Sequence, residues 1–379
     1  MVNTKMKIGL VLDTTLDYDA GVQQYFKGLA RFLITKGHDV KFLVPPSKDE
    51  GEFKGRIISF GKNVRPKGST TSVPGVFLLG GGRHIKRTLN KERFDILHIS
   101  APFSPFLGSK IVKYASCPIV ATYMICSSNQ LVKMGLILLK FLLMKVYEKI
   151  DAFIALSDIA REEAEITIPG NYTVIPIGVN VERFSPKVSP VKKFSNGKMN
   201  ILFVGRLERR KGVNYLISAF KKVKSEFRDV RLIIVGDGPL RRKLKELVDR
   251  LELKDVVFEG YIDEELKPKY YAAADLCVFP AIYGESFGVV LIEAMAAGKV
   301  TIGYSNEGYS FVLKNLPELL VENKDISKLA EKISKFLENE ELRGEYEEKC
   351  LVESQRFKWK KIGLRILHVY KKLLRTNRT

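Results

Sequence analysis

Cysteine is scarce in this chain of 379 residues. The four, Cys117, Cys126, Cys277 and Cys350, form no C-x-x-C pair, and no histidine stands at metal-ligand spacing. Neither a disulfide framework nor a metal site is therefore indicated, and a reducing, cytoplasmic compartment is expected. Long apolar runs are missing too. The N-terminal MVNTKMKIGLVLDTT is too short in its apolar part for a signal-peptide core and reads as a first buried strand. The longest candidate span, LVKMGLILLKFLLMKVYEKI (Leu131 to Ile150), is broken by Lys133, Lys140, Lys145, Glu148 and Lys149, which argues against a transmembrane helix. Low-complexity tracts are absent. So is a complete dinucleotide fingerprint, because VGDGPLRRKL has Arg241 where G-x-G-x-x-G needs glycine.

Acidic residues are in deficit: 43 Asp and Glu face 63 Lys and Arg, a formal net charge of +20. An anionic partner is implied, whether nucleic acid, an acidic membrane or a phosphorylated substrate. No helix-turn-helix, RNA-binding or zinc signature supports nucleic acid.

What is present is a repeated rhythm. KIGLVL, DVKFLVP, FDILHIS, PIVATYM and DAFIALS are short apolar runs separated by helical stretches. After a proline- and lysine-rich break, NILFVG, RLIIVG, DVVFEG, DLCVFP and KVTIGY repeat the pattern. Alternation of this kind predicts parallel sheets covered on both faces. The expected fold is α/β, with two Rossmann-like doubly wound domains facing across a cleft. Residues 1–185 would form the first, 186–198 a linker and 199–355 the second; basic amphipathic helices in the last forty residues would seal the domains together, 356–379 crossing back to the first.

GESFGVVLIEAMAAG (Gly284 to Gly298) sets Glu285 and Glu293 eight positions apart around a strand-to-helix junction, with Ser286 as a cap candidate. Gly288 would let a diphosphate approach the amides of Val289 and Val290, and Glu293 could accept from ribose hydroxyls. In FVGRLERRKG, Arg206 and Lys211 flank a turn and suit a departing diphosphate. Alone, that turn reads equally well as a solubilising basic loop. The D-x-D at Asp17 and Asp19 is too common a pattern to assign a metal.

GVQQYFKGLARFLITKGHDV, FDILHISAPF, PIGVNVERF, GRLERRKG, VGDGP and GESFGVVLIEAMAAG together resemble the retaining GT-B glycosyltransferases of family 4. The resemblance covers nearly the whole chain. It implies that a hexose moves from a nucleotide-sugar, by front-face attack without a covalent nucleophile. Glu285 would meet the donor sugar, Glu293 the ribose, and Arg206 and Lys211 the diphosphate, with Gly21 approaching the phosphates from the first domain. Gly205, Gly236, Gly260 and Tyr261 complete the donor-side set. No cofactor beyond the nucleotide-sugar (GDP- or UDP-linked) is implied, and Mg2+ is possible but not indicated.

The motifs look most like the phosphatidylinositol mannosyltransferase branch, which implies GDP-mannose, a lipid acceptor and peripheral attachment to an anionic membrane. Arg83, His84, Lys86 and Arg87 resemble that branch's basic membrane helix. In Leu131 to Ile150, Leu139, Leu142, Leu143 and Val146 would face the core, with Val132 and Ile150. Met134, Ile137, Phe141 and Met144, among Lys133, Lys140 and Lys145, would meet lipid. Met124 stands where the family has a histidine lining the sugar site. His98 would replace that contact or serve as a buried, hydrogen-bonded structural histidine. The sequence admits three other readings: a UDP-sugar enzyme with a soluble or polysaccharide acceptor, a nicotinamide dehydrogenase, and a non-catalytic sugar-nucleotide binder.

Overall fold

A computed structural model describes residues 5–17, 21–48, 51–64, 75–77, 81–101, 105, 107–124, 130–285 and 287–376, without the side chains of 62–64, 75–77, 130–136 and 139. The chain divides into two compact units. One comprises Met1–Gly178 with Trp359–Thr379, the other Val179–Lys358.

Strands of the first unit are β1 (Lys7–Val11), β2 (Asp39–Val44), β3 (Ile57–Ser59), β4 (Lys62–Val64), β5 (Gly75–Phe77), β6 (Ile96–Ala101), β7 (Ile119–Tyr123), β8 (Ala152–Ala155) and β9 (Tyr172–Val174). Seven make a parallel sheet in the order β3-β2-β1-β6-β7-β8-β9, while β4 and β5 pair as a separate antiparallel ribbon. Alternation along β6 and β7 sorts side chains to two layers. Leu97, Ile99, Ala121 and Tyr123 face a cluster with Ile85 and Leu89 of the helix Gly82–Glu92, Ile111 of the helix Leu107–Tyr114, and Leu143 and Tyr147 of the helix Gln130–Tyr147. His98 and Thr122 point the other way, toward the helix Gly21–Thr35 and the terminal helix Trp359–Thr376.

The second unit adds β10 (Met199–Val204), β11 (Val230–Val235), β12 (Val256–Gly260), β13 (Leu276–Phe279), β14 (Val300–Tyr304) and β15 (Leu320–Val321). They form a parallel sheet in the order β12-β11-β10-β13-β14-β15. Chain direction across this sheet reverses between β10 and β13, so the loops after those two strands open a crevice at their carboxyl ends.

One expectation is corrected. Residues 186–198 are not a free linker: Phe194 is buried against Tyr270, and the Val191 amide donates to the Lys269 carbonyl, because an apolar residue amid the lysines finds a core site. The last helices divide between the units, the final one returning to the first as expected. Glu340–Ser354 belongs to the second unit and carries two glutamates in its first turn, whereas Trp359–Thr376 belongs to the first. There Ile362, Ile366, Leu367 and Tyr370 make an i, i+4 stripe that is buried. Trp359 fills the space left by two glycines: a Cβ at Gly28 or at Gly178 would meet its ring at 2.4 Å.

Candidate active site

The crevice of the second sheet is built from the two loops at its switch point. After β10 the chain runs through Gly205 and Arg206 into the short turn Arg209–Lys211. After β13 it runs from Pro280 to Glu285. The two loops meet in a carboxylate. Glu285 Oε1 lies 2.5 Å from both Lys211 Nζ and Arg210 Nη1. Arg210 also donates to the Gly284 carbonyl at 3.0 Å and to Glu208 Oε1 at 2.5 Å. Burial works against the Arg210 charge, but Glu285 and Glu208 more than offset that and raise its pKa. Lys211 is largely buried; Arg206 is exposed and lies 3.7 Å from Glu208 Oε2.

Gly288 caps the helix Val289–Ala296 with φ 99°, a left-handed conformation natural to glycine. A Cβ there would meet the Tyr309 ring at 2.6 Å. The amides of Val289 and Val290 thus begin the helix, in half-buried positions, with the dipole's positive end three residues along the chain from Glu285. Ser286, the cap candidate, lies outside the described residues.

Glu293, one turn along, is almost wholly buried, at 3 % exposure. Its Oε1 lies 3.3 Å from Lys267 Nζ, and its Oε2 accepts from the Tyr271 hydroxyl at 2.9 Å. Burial pushes its carboxyl upward, partly countered by Lys267. A carboxylate offers about four lone-pair sites, so one bond per oxygen leaves further acceptor capacity. Gly205, Gly236 and Gly260 follow or end β10, β11 and β12, on the same rim, and Tyr261 beyond them is 73 % exposed.

The family profile described as glycosyl transferases group 1 matches residues 185–350, and the one described as glycosyltransferase family 4 matches residues 20–183. A phosphatidyl-myo-inositol mannosyltransferase of Mycolicibacterium smegmatis is 32% identical over 371 residues, covering 96% of this chain and 93% of its own. The chain belongs to the group 1, family 4 glycosyltransferases. An alpha-monoglucosyldiacylglycerol synthase of Streptococcus pneumoniae is 27% identical over 329 residues, 79% of this chain and 71% of its own. A solved glycosyltransferase from Rickettsia africae superposes with TM-score 0.79 at 20% identity, over 98% of this chain and 99% of that one, which shows the GT-B fold. This glycosyltransferase is therefore an enzyme, a hexosyltransferase built from two Rossmann-like units.

In the enzyme's first unit, Gly21 opens the helix Gly21–Thr35 at an exposed position. Met124 follows β7 and is half-buried, its amide donating to the Ala101 carbonyl at 2.8 Å. His98 is corrected from donor-sugar contact to packing element. It is 0 % exposed, with Nδ1 2.6 Å from the Tyr370 hydroxyl and Nε2 2.6 Å from Thr122 Oγ1. Burial pushes its pKa down to about 3, so the ring is neutral, one nitrogen donating and the other accepting. The choice of face follows from β6's period of two, since both neighbours of His98 enter the opposite cluster. Asp17 accepts from the Lys48 amide at 2.7 Å, tying the segment after β1 to the one after β2, while Asp19 lies outside the described residues.

Arg83, His84, Lys86 and Arg87 are all exposed on the helix Gly82–Glu92, which buries Ile85 and Leu89. On the helix Gln130–Tyr147, Phe141 (65 %), Met144 (45 %) and Ile137 (39 %) are exposed as expected. Leu142 is corrected: expected in the core, it is 69 % exposed, because the buried stripe runs through Leu143, Val146, Tyr147 and Ile150 and leaves it on the flank. Leu138 and, on the neighbouring helix Asp158–Thr167, Ile166 extend the apolar surface. Lys140 links the two helices by donating to the Ile166 carbonyl at 3.1 Å. The side chains of Val132, Lys133, Met134 and Leu139 lie outside those described. No helix among the described residues is long and apolar enough to cross a membrane.

Sequence reasoning missed Arg210, Lys267 and Tyr271. A run of three bases before Gly212 was the available signal for the first.

Proposed function

We propose that this glycosyltransferase moves a hexose, mannose from GDP-mannose, to a lipid acceptor with retention, working as a peripheral enzyme on the cytoplasmic face of an anionic membrane. The observation that carries the transfer reading is the meeting of Lys211, Arg210 and Glu285 at the switch point, beside the first turn of the helix Val289–Ala296. Those two cations, with Arg206 and the Val289 and Val290 amides, suit the charge that grows on a leaving diphosphate. Glu285 would contact the donor sugar and Glu293 the ribose, with Gly205, Gly236, Gly260 and Tyr261 lining the rim and Gly21 reaching the phosphates. Front-face transfer needs no covalent nucleophile, and the Glu285 carboxylate is paired with Lys211 and Arg210.

The membrane reading rests on the first unit. Its basic helix Gly82–Glu92 and its apolar helix Gln130–Tyr147 cover one and the same face of the sheet. Cations beside exposed apolar groups suit an acidic bilayer. The mannosyltransferase and glucosyldiacylglycerol synthase relatives both carry a lipid in their names.

A donor panel of GDP-mannose, UDP-glucose and related nucleotide-sugars, incubated with membrane lipid extract, tests this by mass analysis of the lipids. A hexosylated lipid formed from GDP-mannose is expected. Transfer only to soluble acceptors, or only from UDP-sugars, would refute the acceptor or the donor respectively.

A further inference from the structure

Beneath the donor rim lies a charge cluster that the proposed site roles leave unused. Lys267 is 8 % exposed and starts the helix Lys267–Ala272, so both burial and the helix dipole work against its charge. Its partners are Glu264 at 2.9 Å and Glu293 at 3.3 Å. Burial lowers its affinity for a proton, yet those two carboxylates more than restore it and hold it charged. Glu264 is engaged in turn by Arg183, whose guanidinium donates to the Glu264 carbonyl and lies 3.9 Å from its carboxylate. Two cations and two anions thus cancel. Phe184, next in sequence to Arg183, packs edge-on against the Tyr271 ring at 5.7 Å, and Tyr271 donates to the other oxygen of Glu293. Both arms come from the segment a few residues beyond Val179, where the second unit begins.

We propose that Lys267 is a positioning residue for the nucleotide: it holds the Glu293 carboxylate ionised and turned to accept from the ribose hydroxyls, while Arg183 and Phe184 brace the cluster. This rests on the ribose role of Glu293. The groups facing Glu293 are Lys267, Glu264 and Tyr271, so its ionisation is set by one cation against one anion and burial. Removing the cation leaves a buried carboxylate that takes up a proton at higher pH. A protonated Glu293 accepts from ribose less well.

The test is calorimetric binding of GDP and of UDP to the full chain, from about pH 5.5 to about pH 9, with Lys267→Met, Lys267→Arg and Glu293→Gln. Lys267→Met is expected to weaken binding about ten- to hundredfold near neutrality and to move the acid limb of the affinity profile to higher pH. Lys267→Arg should restore both. In steady state the loss should appear in the donor KM with kcat kept, since ribose binding is shared by ground and transition states. A weakened Glu293→Gln beside a Lys267→Met with unmoved affinity and pH profile overturns the positioning role alone. An unweakened Glu293→Gln overturns the ribose role and this inference with it. Should Lys267→Met fail to fold, Glu264→Gln, which strips Lys267 of its competing partner, is expected to shift the acid limb to lower pH; an unmoved limb overturns the proposal.

Discussion

The two units share one strand order at their centres and spend their buried polar groups in opposite ways. In the first, Tyr25, Thr122, His98 and Tyr370 form a hydrogen-bonded chain, each 0 % exposed, that joins the helix Gly21–Thr35, two strands and the terminal helix. All of that polarity goes into holding a helix on a sheet. In the second, one set of buried and half-buried polar groups, Glu285 with its cations and Glu293 with Lys267, lies at or just under the sheet's switch point. The same Rossmann frame can thus serve as a docking body or as a ligand cradle, and the difference is where the polar side chains point.

Breaking the second arrangement should cost most in rate. Lys211→Ala is expected to lower transfer about 10²- to 10³-fold, the scale of one lost donor to a developing anion, with folding intact. Glu285→Ala should be of similar size. Both variants transferring at the parental rate in a donor-dependent assay would remove the catalytic assignment of the crevice.

Breaking the first arrangement should cost stability instead. His98→Ala leaves the Tyr370 hydroxyl unpaired in the core and Thr122 with Tyr25 alone, and is expected to destabilise the first unit by ~2–4 kcal/mol, read by urea denaturation. The pH dependence has a definite sign. The His98 pKa is depressed to about 3 in the folded chain, against 6.5 for an ordinary histidine, so between those values the unfolded state binds the proton and the native state does not. This residue's contribution therefore falls as pH drops from about 6.5 toward about 3, and the His98→Ala chain should lack that component of the slope.

The first unit's outer surface offers smaller effects. Replacing Arg83, Lys86 and Arg87 by Ala should weaken binding to phosphatidylserine-containing liposomes by about 3 kcal/mol, at about 1 kcal/mol per charge, and flatten its salt dependence. Phe141→Ser with Met144→Ser should weaken the same binding by ~2 kcal/mol, with nucleoside diphosphate binding unchanged. Liposome retention equal to the parent's would reduce that helix to a solvated flank.

Much of this was legible in the sequence, for reasons particular to each element. The strands stood out because short β-rich runs alternate with helical spacing, and the crevice because glycine, glutamate and arginine keep fixed offsets around two strand ends. His98 was ambiguous because β6 is apolar on both faces, so no polar alternation told which layer its side chain enters. Leu142 was misplaced for a related reason: a helix this rich in leucine shows no contrast at the stripe's edge, and packing against the sheet set the rotation. Residues 186–198 carried linker composition, yet the buried Phe194 and the Val191 amide anchor them. Lys267 and Tyr271 were silent because their partner, Glu293, lies more than twenty positions away, and only tertiary packing brings them together.

The chain has a single tryptophan. Trp359 stands where the chain re-enters the first unit, seated over Gly28 and Gly178 and 5.8 Å from the Tyr25 ring. The protein therefore carries a built-in fluorophore that belongs to one unit only. Its emission reports the melting of the first unit, whereas far-ultraviolet dichroism averages over both. Superimposable curves from the two signals would mean that the halves unfold as one cooperative body; an earlier or later fluorescence transition would measure how independently each half stands.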